Sequence, residues 1–167
     1  TVEKNRKGHD LLLYWLERGL VLHYADRWRE SNDAFEQAEQ LAADLYTKSI
    51  SQGLVSLFTN DTSIDYRADP FELAMVPYYR ALNYAYLGER DEAVVEARKA
   101  SLTLRQWTEQ DLGALGELDP GRQQEKAADD DLLLRNNAFL HYVSGLIYEW
   151  GGELNDAFIA YRKDRKS

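Results

Sequence analysis

The residues able to do acid–base or metal chemistry are few in this 167-residue chain, and their spacing is wrong for it. Its three histidines, His9, His23 and His141, form no HxH or HExxH pair, and there is no cysteine. A zinc site needs several nitrogen or sulfur ligands at close spacing, so none is expected. His23 falls on an apolar helical stripe and reads as a core or groove residue; His141 faces either a groove or solvent. The acidic run Asp129–Asp131, with Glu125 nearby, lacks the alternating oxygen ligands and glycine of a calcium loop, and reads as a solvated turn and helix start. No GxSxG, phosphate-loop or dinucleotide glycine pattern occurs, and no pair of carboxylates is flanked by an apolar pocket signature. The expectation is no catalytic residue, no metal, no cofactor and no enzyme.

Aromatic side chains carry the stronger signal. Eleven tyrosines, five phenylalanines and four tryptophans exceed what a small core consumes, and tyrosine joins an apolar body to a polar tip, which suits it to binding faces. Tyr78, Tyr79, Tyr84 and Tyr86 crowd one segment, and Tyr142, Tyr148 and Trp150 crowd another. The net charge of −9, with basic residues interleaved among acids, argues against a nucleic-acid partner. It equally disfavours attraction to anionic lipid. The longest apolar run, Leu11–Leu16, is six residues, far short of the ~20 that span a bilayer.

The elements that position these residues read as three helical pairs. Leu12, Leu13, Leu16, Gly19, Leu20 and His23 fall at helical spacing, Asp26 ends the segment, and Ser31, Phe35, Ala38 and Leu41 line a second helix. Asp69-Pro70 is a helix start, and Pro77 is expected to kink or restart that helix. The pattern then runs through Ala81 to Gly88 and resumes at Ala93, Ala97 and Ala100. A third pair starts near Asn136 and Asn137, breaks at Gly151-Gly152, and resumes with Ala157 and Tyr161.

The three pairs superimpose. With Gly19, Ala81 and Gly145 in register, 62 and 64 residues apart, Leu22, Tyr84 and Tyr148 align, as do Asp26, Gly88 and Gly152 at the turn. Ser31, Ala93 and Ala157 follow, then Phe35, Ala97 and Tyr161; a last small position holds Ala38 and Ala100 but Asp164 in the third pair. A small residue on each helix permits close crossing and an aromatic fills the gap beside it. This order resembles the tetratricopeptide repeat, although simple arrays of that repeat have a period of about 34 residues. Helical periodicity through Leu45, Ile50, Leu54 and Leu57 implies second helices that are either long or followed by another helix, with loops around 59–69 and 112–131 between units.

Tyr79–Gly88 with Glu92–Arg98, the segment from Asn137 to Arg162, Leu16–Gly19, Ser31–Phe35 and Asn60–Arg67 together resemble a family of bacterial tetratricopeptide-repeat proteins, many of them similar to secreted lipoproteins. The resemblance implies a periplasmic or outer-membrane-associated place, with cytoplasm as the alternative, and a signal peptide and lipid-bearing cysteine upstream of a chain that starts at Thr1. It supplies no catalytic residue.

The expected fold is all-α: tetratricopeptide-like hairpins with extra helical segments, in one domain over 1–167 with units near 10–43, 70–105 and 136–167, as part of a longer chain. They form either a compact superhelix or a bundle. The expected role is a protein-interaction scaffold that holds a partner peptide or helix on a concave face lined by first helices. Positions three before and five after the small residue nominate Tyr78 and Tyr142, and Tyr24, Tyr86 and Trp150, with Asn83 as polar anchor. The alternative is a small-molecule-binding or hydrolytic protein using the loops 59–69 and 112–131.

Overall fold

The computed structural model describes residues 10–51, 66, 68–100, 102–103, 106 and 138–164, and these are helical apart from turns and short connections. The helices are α1 (Leu11–Tyr24), α2 (Trp28–Ser51), α3 (Pro70–Leu87), α4 (residues 90–100), α5 (Ala138–Gly151) and α6 (Leu154–Asp164). The all-α class expected from the periodicity is what forms, with consecutive helices packed as hairpins. The chain divides into two compact units, Thr1–Asp69 and Pro70–Ser167.

In the first unit α1 and α2 make one hairpin. Leu12, Tyr14, Leu16, Gly19 and Leu22 of α1 are buried, and Ser31, Ala34, Phe35, Ala38 and Ala42 of α2 face them at a helical period. The stripe on α2 thus ends on Ala42, with Leu41 beside it only partly buried. Gly19 allows the close crossing: a Cβ there would stand 2.5 Å from the ring of Phe35. The Ser31 hydroxyl donates to the Gly19 carbonyl oxygen at 2.8 Å inside the same contact. Helix α2 is long, one of the two alternatives that the periodicity leaves open, and residues 52–65, which include its expected end and most of the first loop, lie outside the described residues.

Among its described residues the second unit holds two hairpins, α3–α4 and α5–α6. Ala81, Ala93, Val94, Ala97, Ile147, Tyr148, Ala157 and Ala160 form one buried cluster drawing on all four helices. Ala74, Tyr78, Ala100 and Leu140 form another. So many alanines let helix axes approach closely, and the larger side chains between them fill the remaining space. Gly145 meets Tyr161 as Gly19 meets Phe35, with a Cβ there 2.4 Å from the ring. Helix α3 begins at Pro70 as expected. It does not restart at Pro77, which lies inside it and is fully buried. Proline forfeits one backbone donor, and here burial of the ring offsets that loss without ending the helix.

All three hairpins turn in one way. Asp26, Gly88 and Gly152 take left-handed φ values of 58°, 76° and 83°. In each, the next residue's N–H donates back to a first-helix carbonyl: Arg27 to Leu22 at 3.0 Å, Glu89 to Tyr84 at 2.9 Å, and Glu153 to Tyr148 at 2.8 Å. A second bond runs from Asp26 to His23, Gly88 to Ala85 and Gly152 to Glu149, which completes a Schellman closure. The following helix opens with Ser31, Ala93 and Ala157 donating to Arg27, Glu89 and Glu153. The register read from sequence therefore holds at the level of individual backbone bonds.

Two substitutions separate steric from backbone constraint. Gly19→Ala gains about 1 kcal/mol of helix propensity but drives a methyl into a buried ring, an overpacking cost of about 1–3 kcal/mol, so a lower urea midpoint is expected. Gly88→Ala meets nothing within 4 Å, and its loss of about 1 kcal/mol would come from left-handed backbone alone. A Gly88→Ala midpoint equal to the parent's would remove the turn from the set of constraints.

Candidate docking face on the first helices

The second unit exposes an apolar stripe along α5. Phe139, Tyr142, Leu146 and Trp150 follow one another at helical spacing and remain 52%, 51%, 44% and 39% exposed. The opposite face of α5, Leu140, Ser144, Ile147 and Tyr148, is buried, so the stripe is what hairpin packing leaves over. Tyr86, near the end of α3, is also exposed. Arg90 stacks its guanidinium over the Trp150 ring at 5.1 Å. Tyr142 lies 6.1 Å from Tyr161, whose hydroxyl donates to Glu149 at 2.9 Å. The stripe is thus braced on two sides by polar-tipped aromatic contacts.

Of the residues nominated from sequence, the structure brings Tyr142 and Trp150 onto this stripe and leaves Tyr86 exposed on the preceding first helix. Tyr24 is exposed at the end of α1 in the other unit, with its ring 5.0 Å from that of His23. Tyr78 and Asn83 are placed differently: both are buried. Tyr78 packs 5.1 Å from Phe139 and 5.3 Å from Tyr79, which makes it the floor under one end of the stripe. Phe139 and Leu146 are not among the nominated residues, because only two offsets per helix define those, although Leu146 falls on the helical stripe of the third pair. The full i, i+3, i+7, i+11 series from Phe139 would have found them.

Where α4 meets the last hairpin, Arg98 spans the seam. Its guanidinium pairs with Asp156 at 2.7 Å and Glu153 at 3.3 Å and lies 5.9 Å from the Tyr148 ring. These ion pairs are half exposed and individually weak, so they set register more than stability. A hollow of about 260 Å³ opens beside them, lined by Arg98, His141, Ser144, Tyr148 and Asp156 among others. His141 and His23 are both buried; His9, the acidic run Asp129–Asp131 and the loop 112–131 lie outside the described residues. Among the described residues no three His, Asp or Glu side chains are grouped to hold a metal ion. No described helix is long and apolar enough to cross a membrane.

Burial pushes the Tyr148 phenol up to about 12, against the opposing charge of Arg98. A raised phenol favours the neutral folded form, so its contribution is intact below the unfolded value of about 10 and is lost as pH climbs toward about 12. Urea midpoints measured across that window should fall less steeply in Tyr148→Phe than in the parent, and parallel slopes would contradict the assignment.

The chain matches no family model, no curated protein and no solved structure.

Proposed function

We propose that the protein is a non-catalytic interaction scaffold that receives an apolar segment of a partner protein, a helix or an extended peptide, on the first-helix face of α3 and α5. The observation that carries this reading is the stripe Phe139–Tyr142–Leu146–Trp150. Four large apolar side chains in a row stay exposed on a helix whose other face is buried, and their contacts with Tyr78, Tyr161 and Arg90 leave that outer surface in water. Aromatic anchors of this kind dominate binding energy at interfaces, because they bury much area with few rotatable bonds. The supply of aromatics and the acidic balance of the chain support a protein partner over a nucleic acid.

The repeated hairpin register supports the tetratricopeptide-like reading, in which first helices line the partner-binding side. A place in the bacterial cell envelope belongs to the same proposal and rests on the family resemblance of the segments quoted above.

The test is affinity capture from an envelope extract with the parent, a Tyr142→Ala/Leu146→Glu variant and a Val95→Glu control, the last altering an exposed apolar residue of α4. Proteins held by the parent and the control should be lost from the stripe variant, and affinity for a purified partner should fall at least ~10-fold. An unchanged set of captured proteins would sink the docking face.

A further inference from the structure

The seam inside the second unit is a template for a contact that the chain offers elsewhere. Helix α4 seats three residues on the last hairpin, one per turn: Arg90 over the ring of Trp150, Val94 against Gly151, and Arg98 on Glu153 and Asp156. Gly151 is needed there, since a Cβ would lie 2.3 Å from a methyl of Val94. Helix α6 carries the same stripe 64 residues on, as Leu154, Phe158 and Arg162. All three are exposed, and Arg162 folds over the Phe158 ring at 5.6 Å. A seating stripe with its arginine in register is therefore present on α6.

The first hairpin carries a receiving surface in the same register. Ala25 holds the place of Gly151 and adds a methyl there, so a facing helix must seat farther out than α4 does, which leaves room for a side chain larger than Val94, and Tyr24 holds the place of Trp150. Glu30 holds the place of Asp156, and Val21 the place of Ile147. Ile147, covered by α4 in the template cluster, is 5% exposed, whereas Val21 is 57% exposed. One position differs in charge. Arg27 replaces Glu153, and it already bonds Glu30, so the acidic pair that holds Arg98 is reduced to a single shared carboxylate.

We propose that two copies of this chain associate head to tail, with the α6 stripe of one seated on the α1–α2 turn of the other. Leu154 then lies on Tyr24, Phe158 on Ala25 and Val21, and Arg162 reaches Glu30. Exchanging Arg90 for Leu154 and Val94 for Phe158 makes this contact more apolar than its template, which offsets the weaker charge pairing. Because the two surfaces differ, the contact is heterologous and continues from copy to copy unless one surface is blocked. The partner-docking stripe of α5 takes no part in it.

Sedimentation velocity over a concentration series, on the full chain, tests this. The parent should gain mass as concentration rises, and Phe158→Glu and Val21→Glu should each remain monomeric. Both substitutions sit at exposed positions, and far-ultraviolet circular dichroism checks that the helices persist. The decisive arm mixes the two variants. Each keeps one good surface, so together they should form a complex of two chains that grows no further. A parent that stays monomeric at every concentration overturns the proposal; the exposed stripe then belongs to some other occupant. A Phe158→Glu chain that associates like the parent overturns it, and so does a mixture of the two variants that forms no pair.

Discussion

The structure depends on how closely two helices can approach when one of them lacks a side chain. Gly19 and Gly145 each lie where a Cβ would stand inside an aromatic ring of the following helix, Phe35 in one hairpin and Tyr161 in the other. That contact sets the distance and rotation between the helices. It leaves room for only a short connection, so the first helix must close within a residue or two on a left-handed backbone. Asp26, Gly88 and Gly152 supply that closure with equivalent hydrogen bonds. Ala81, the counterpart of the two glycines, is fully buried in the middle hairpin opposite Ala97. The three hairpins are one solution to one packing problem.

A hairpin built this way cannot bury all its apolar surface alone. In the second unit the remainder is divided by neighbours: Val94 seats on Gly151, Tyr78 and Leu140 share a cluster, and Arg98 joins the rims. What no neighbour covers stays exposed. The α5 stripe and the α6 stripe are such remainders, and their chemistry differs. The first is aromatic and continuous, suited to an apolar guest; the second keeps the register and the last arginine of an internal seating surface but replaces its other two residues with Leu154 and Phe158. Function is assigned from those leftovers, since burial elsewhere follows from packing.

The hairpins were legible in sequence because their determinants are local. A small residue, a turn residue seven positions on and an aromatic sixteen positions on are fixed by the geometry of two helices and one connection. Recurrence at 62 and 64 residues removed the remaining ambiguity. The candidate site was legible only in part. Offsets from the small residue identify the first-helix face, and Tyr142, Trp150 and Tyr86 are exposed there. They do not say which part of that face a neighbouring hairpin covers. Tyr78 is therefore buried against Phe139 although its counterpart Tyr142 is open, and Asn83 is fully buried. Pro77 does not restart its helix for a related reason: a proline's local cost is visible in sequence, while the burial that offsets it is not.

Binding of a partner on the first-helix face of the second unit can be read by crosslinking. A photoreactive residue placed at Leu146 in living cells of the native host reads that face directly, with Val95 as an equally apolar and exposed position on a second helix. The expected result is a discrete crosslinked adduct to another protein from position 146 and none from position 95. Adducts from both positions alike, or from neither, would contradict the account.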